Sequence, residues 1–209
     1  MRRIVLLCLL LTYIPAHANA APSDDALTVL NSLAVKGRAA KTGYARSQFP
    51  HWSDPDRNGC DARNDTLKRD LTQISFKTGT RDCKVLTGQL LDPFSGKVIT
   101  FSSTKSNIDI DHVVALSNAW QTGAAYFDKT KRVAIANDPL NLIAVDAKLN
   151  RQKGDGDAAT WLPPLKSYRC DYVARQIAVK AKYGLWVTQP EKGAIIKLLE
   201  MCEGQKLPN

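Results

Sequence analysis

The run Ile108-Asp109-Ile110-Asp111-His112-Val113-Val114 constrains this chain more than any other stretch. Apolar and acidic residues alternate with a period of two, the pattern of a β-strand with unlike faces. Ile108 and Ile110 share one face and belong in a core. Asp109 and Asp111 share the other face and need a cation, a donor or water. On such a strand His112 points away from Asp111, so the two can serve one site only where the strand ends or bulges.

The flanking periodicities predict a single α+β domain. Residues 25–38 read as an amphipathic helix with Leu27, Leu30, Leu33 and Ala34 inward. Phe49–Asn64 is turn-rich, and residues 61–73 read as a helix capped by Asp61. Residues 84–101 read as a hairpin, with Val85-Leu86 and Val98–Phe101 as strands and Asp92–Gly96 as its turn. A helix over 113–125 turns Leu116, Ala119 and Trp120 inward, and Asn137-Asp138-Pro139 is a turn. Leu142–Val145 is a short buried strand. The helix after it is capped by Asp146, carries Asn150 and Lys153 as neighbours at i and i+3, and ends at Gly154. Helices over 170–183 and 190–202 finish the chain. A strand–loop–strand–helix unit of this kind brings Asp111, His112 and Asn150 together.

Arg2 and Arg3, the apolar run Ile4–Ile14 and Ala18-Asn19-Ala20 form the pattern of a cleaved signal peptide over residues 1–20. The apolar run is shorter than the roughly 20 residues that a spanning helix needs. The expected product, residues 21–209, is secreted or periplasmic, with no membrane anchor. Of five cysteines, Cys8 lies in the leader, which leaves Cys60, Cys83, Cys170 and Cys202. An even count in an exported chain points to disulfides, and three pairings are open. Local closure favours Cys60–Cys83 and Cys170–Cys202. A zinc site is the weaker reading, since no C-x-x-C pair occurs and no histidine is near any of the four.

Candidate chemistry centres on His112, one of three histidines. A carboxylate beside an imidazole, with a later amide oxygen, is what one-metal phosphodiester hydrolysis needs. The oxygens hold a hard cation, Mg2+ or Mn2+, and the neutral imidazole takes a proton from water. Lys153 or Arg151 could add charge at the phosphate. Other polar groups read more plainly. His51-Trp52 could supply a second base or a stacking platform, but a loop histidine beside a core tryptophan is the favoured reading. Asp155-Gly156-Asp157 is a turn, because no glutamate stands where a calcium loop requires one.

The net charge of +9 suits nucleic acid, anionic lipid or acidic polysaccharide, with nucleic acid foremost. Lys129, Lys131, Arg132, Arg38, Lys41 and Arg46 are candidate phosphate contacts. None of the arginines can be assigned to base edges, so sequence preference should be weak.

Asp111-His112-Val113-Val114, then Asn141-Leu142, then Asn150-Arg151-Gln152-Lys153 resembles the HNH, or ββα-metal, nuclease motif. More closely, the chain resembles the secreted branch related to the C-terminal nuclease domain of GmrSD-type restriction enzymes. Trp120 with Gly123, Ala136-Asn137-Asp138, Gly154-Asp155, Trp161–Pro164 and Cys170-Asp171-Tyr172 carry the likeness further. Upstream, Gly43-Tyr44, Phe49, Trp52, Cys60, Arg63, Asp70, Cys83 and Asp92-Pro93 extend it over most of the mature chain. The resemblance implies a ββα-metal core over about 108–154, surrounded by helices. It implies His112 as general base, Asp111 and Asn150 as metal ligands, and Asn141 as the residue that fixes the loop backbone. Asp109 occupies a nearby acidic position, and Ala115 stands where many relatives have proline. The implied activity is that of an exported, metal-dependent endonuclease acting on DNA, with RNA left open as a substrate; the expected state is a monomer. A non-catalytic nucleic-acid-binding module and a basic cell-envelope interaction protein are the rival readings.

Overall fold

The computed structural model describes residues 24–105 and 107–208; the leader expected over residues 1–20 lies outside them. In chain order the regular elements are α1 (Ala26–Ser32), α2 (Ala62–Asp70), β1 (Thr72–Phe76), β2 (Val85–Leu91), β3 (Val98–Ser102) and β4 (Ile108–His112). Then follow α3 (Leu116–Gln121), α4 (Lys129–Asn137), β5 (Leu142–Asp146), α5 (Ala147–Lys153), α6 (Arg169–Tyr183) and α7 (Gln189–Leu199). The first three strands form an antiparallel sheet in the order β1-β2-β3, and β4 pairs with β5 in a second antiparallel sheet. This is an α+β fold, and α5 packs on both strands of the second sheet.

The alternation in β4 decides how the second sheet is buried. Ile108 and Ile110 pack with Leu142 and Ala144 against Val85, Leu90 and Phe101 of the first sheet and Leu67 of α2. The other face of β5 sends Ile143 and Val145 into a core with Val113, Tyr172, Ile177 and Ile195. Asp111 stands opposite Ile143 and His112 opposite Leu142, in an unbroken register. No bulge is needed to bring Asp111 and His112 to one site, because β4 ends at His112.

Buried polar side chains fix the ends of this sheet. Asp92 is fully buried and accepts from Ser95 N at 2.9 Å and Asp146 N at 3.0 Å. It thereby ties the β2–β3 turn to the start of α5. Asp146 in turn caps α5, accepting from Lys148 N and Leu149 N. Asn141 is fully buried: its Oδ1 accepts from Val114 N at 2.9 Å, and its Nδ2 donates to Val114 O and Ile135 O at 3.3 and 3.2 Å. The backbone after β4 and the end of α4 are thus pinned by one amide. Thr188 and Glu191 form a reciprocal capping box at the start of α7.

Local periodicity gave way where tertiary pairing competed. α1 stops at Ser32 because the chain beyond it pairs with the α6–α7 connection, through Val187 N to Ala34 O at 3.0 Å and Lys36 N to Val187 O at 3.1 Å. Ala26 and Leu30 are its buried residues, and Leu27 is 43% exposed. The helix read through Gln73 ends at Asp70, since Thr72 already pairs with Gln89 in the sheet. The helix read over 113–125 is confined to α3 with a 3₁₀ turn after it. α4 has no counterpart in the sequence periodicity: Asp128 caps it, but its apolar positions are few.

Cys60 is bonded to Cys83 and Cys170 to Cys202, the locally closing pairing. The first bond ties the approach to α2 to the approach to β2, and the second ties α6 to the segment after α7. Removing either bond by paired Cys→Ala substitution should lower stability by about 2–4 kcal/mol, since each closes a loop in the unfolded chain. Urea unfolding measures this, and unchanged midpoints would contradict it. Asn141→Ala leaves Val114 N buried without its acceptor and should lower stability by about 1–3 kcal/mol. Equal melting of variant and wild type would show that this amide does not hold the loop.

Candidate active site

A cleft of about 400 Å³ opens at the end of β4. Asp111 and His112 reach it from β4, Asn150 from α5, and Ser117 from α3, with Asp155 just beyond α5. Lys41, Tyr44 and Arg46 supply a further wall from the segment after α1.

Asp111 is buried, and its Oδ1 accepts from Lys153 Nζ at 2.9 Å. Lys153, itself fully buried, also donates to the His112 carbonyl at 2.9 Å. Burial pushes the Asp111 carboxyl above the usual range, and Lys153 opposes that shift. The second oxygen, Oδ2, is buried with no hydrogen-bond partner. A carboxylate oxygen in that state costs about 1–3 kcal/mol unless something meets it. Asn150 Nδ2 donates to Asp109 Oδ2 at 3.1 Å, which leaves Oδ1 as the accepting end of the amide. A carboxylate oxygen and an amide oxygen form a hard donor set that fits Mg2+ or Mn2+ with water completing the shell. Among the described residues no cluster of three or more His, Cys, Asp or Glu side chains has metal-holding geometry.

His112 Nε2 lies 2.9 Å from the Ala136 carbonyl oxygen. A carbonyl can only accept, so Nε2 carries the proton and Nδ1 keeps the lone pair. Burial lowers the pKa of the ring to about 3, with Arg46 and Lys153 pushing the same way and the Ala136 hydrogen bond opposing. The imidazole is therefore neutral at ordinary pH. Trp52 stacks on it at 6.1 Å between centroids and 25° between planes, and His51 meets it edge-on at 6.5 Å.

The residues singled out in the sequence divide into two groups. Asp111, His112 and Asn150 border the cleft. Asn141, Asp109 and Lys153 stand behind it, on the loop backbone, on Asn150 and on Asp111 respectively. Arg151 is mostly exposed and faces Asp109 at 3.8 Å. Asp155 and Asp157 are engaged by Lys41 and Arg38, at 2.8 and 2.7 Å. Lys41 holds the Asp155 carboxyl below the usual range. The sequence favours a loop histidine and a core tryptophan at 51 and 52, whereas both rings lie against His112 as an aromatic shelf. Its only sequence signal was the density of Tyr44, Phe49, His51 and Trp52 in one turn-rich segment. Ala115, at the start of α3, has φ −53°, which a proline would also accept.

Among known proteins, the chain is similar to an uncharacterized secreted protein of Arthroderma benhamiae. The two are 38% identical over 191 residues, which cover 90% of each chain. No solved structure matches. Residues 61–198 match the family described as GmrSD restriction endonucleases, C-terminal domain. That span includes β4, β5 and α5 with Asp111, His112, Asn141 and Asn150 in order, and the chain belongs to this family.

Proposed function

We propose that this chain is an exported, metal-dependent endonuclease of the HNH type, with residues 108–154 as its ββα-metal core. It hydrolyses phosphodiester bonds of DNA, and of RNA as a further substrate, with little sequence preference. Residues 21–209 act as a monomer once residues 1–20 are removed. The observation that carries this reading is the pairing of a neutral, buried imidazole with a buried carboxylate whose Oδ2 has no partner, both on one cleft. Family membership and a relative described as secreted support it as well. So do two disulfides, and among the described residues no helix is long and apolar enough to cross a membrane.

Asp111 Oδ2 and Asn150 Oδ1 hold the divalent ion in this reading, and Asp109 sets which end of the Asn150 amide faces it. The ion supplies charge neutralisation at the phosphate and at the departing 3′ oxygen. His112 Nδ1 takes the proton from the attacking water, and the Ala136 carbonyl holds the ring in the required tautomer. Lys153 holds Asp111 in place and does not itself reach the phosphate, since its ammonium is already engaged by Asp111 and the His112 carbonyl. Asn141 keeps the backbone after β4 fixed.

The mature protein should nick plasmid DNA with magnesium or manganese and stop with EDTA. His112→Ala should lower cleavage at least about 10²-fold while leaving binding intact. Asp111→Ala and Asn150→Ala should raise the ion concentration needed for half-maximal cleavage. Near-wild-type cleavage by His112→Ala, or ion titrations that superimpose for all three proteins, would defeat the assignment. Neutral burial of His112 also sets a stability trend. Its folded pKa of about 3 lies below the ordinary 6.5, so the unfolded chain binds the proton first. Stability from this group is full above 6.5 and falls as pH drops toward 3. His112→Asn should flatten that slope in urea titrations run at several pH values; an unaltered slope would mean the ring is not buried neutral.

A further inference from the structure

The segment before the family-matched residues contributes a wall of the cleft, and one cation on it stands apart from the rest. Of the basic residues considered as phosphate contacts, Arg38 is bound to Asp157 and Lys41 to Asp155, at 2.7 and 2.8 Å. Arg132 donates to Gln48 Oε1 and the Ala125 carbonyl and lies over the Trp120 ring at 4.8 Å. Lys131 lies over the Phe127 ring at 4.1 Å. Lys129 does not line the cleft. On α5, Lys153 is held by Asp111, and Arg151 faces Asp109. Arg46 lines the cleft, and among the described residues no carboxylate pairs with it.

The base of Arg46 is rigid while its guanidinium is exposed. It opens a single 3₁₀ turn that ends on Phe49, which is fully buried. Gln48 clamps that turn on both sides, donating to the Gly43 carbonyl at 2.7 Å and accepting from Arg132 at 2.7 Å. Arg46 lines the same cleft as His112, Asp111 and Asn150. A free, planar donor fork on a fixed mount, on one cleft with a neutral imidazole, a carboxylate and an amide, suits a phosphate grip.

We propose that Arg46 is a catalytic residue that binds the non-bridging oxygens of the phosphodiester in the cleft. The proposal rests on the nuclease reading given above. The guanidinium donates two parallel hydrogen bonds to the phosphate and offsets the charge that builds up on it as water attacks. It also places the substrate chain across the wall formed by residues 41–46. Arg46 lies outside residues 61–198, so the family match does not reach it.

Two measurements test this. Single-turnover cleavage compares wild type, Arg46→Ala, Arg46→Lys and Lys197→Ala, the last on α7 away from the cleft. Salt-dependent binding of a duplex oligonucleotide compares the same changes in the His112→Ala background. Arg46→Ala should cut the cleavage rate about 10²-fold with an unchanged melting temperature, and Arg46→Lys should recover part of it. Its salt slope should fall by about 0.9, the loss of one phosphate contact, while Lys197→Ala leaves both readouts unmoved. If wild type cleaves and His112→Ala does not, an unchanged salt slope for Arg46→Ala overturns the proposal. So does a cleavage rate within about threefold of wild type, well short of the loss expected for such a donor. A wild-type protein that cleaves nothing with any divalent ion overturns the nuclease reading, and the proposal with it.

Discussion

Lys153 buries its ammonium group completely and meets it with Asp111 Oδ1 and the His112 carbonyl. Desolvating such a pair costs several kcal/mol per ion, and an apolar pair of equal volume is often no less stable. Stability alone therefore does not explain it. What the pair does is fix α5 against the end of β4. Asn150 lies one helical turn before Lys153, so the same contact sets where the Asn150 amide stands relative to Asp111. It also occupies one oxygen of the carboxylate and leaves the other, Oδ2, unpartnered. The capping of α5 by Asp146, itself held by Asp92, fixes the opposite end of the helix.

How much of this could be read from the sequence follows from which signals are local. The β4 alternation, the Asp146 cap and the stop at Gly154 are each set by a few adjacent residues, and each appears as read. The motif order placed Asp111, His112 and Asn150 on one cleft. The length of α1, the early end of α2 and the existence of β1 depend on partners far along the chain, such as Val187 and Gln89. Periodicity within a window carries no record of those partners. The same limit explains why Lys153 read as a cation for the phosphate. Only the fold shows that its ammonium is fully buried and already donates to Asp111 and the His112 carbonyl.

Trp52 illustrates a different kind of concealment. Its backbone lies at φ +63°, a region that costs a bulky residue energy, so the surrounding structure must impose it. Its neighbours explain how. Ser53 N donates to the Asn137 side chain at 2.9 Å, and Asn137 in turn donates to the Pro50 carbonyl at 2.8 Å. The segment is therefore laced to the end of α4, and the indole comes to rest on the His112 ring. Ala136, whose carbonyl fixes the tautomer of that ring, is the residue before Asn137. One short helix end thus holds both the aromatic shelf and the hydrogen bond that orients the base.

The charges around the cleft complete the argument. Asp111 is matched by Lys153, Asp155 by Lys41 and, more loosely, Asp109 by Arg151. Those pairs leave the protein nearly neutral at the site, apart from Arg46. A bound divalent ion would then make the cleft strongly positive, and a phosphodiester would neutralise part of that charge. Attraction of this kind acts on the backbone of any nucleic acid and is indifferent to base sequence. The cleft presents Arg46 beside His112, Asp111 and Asn150, while Lys41 on the same wall is already paired with Asp155.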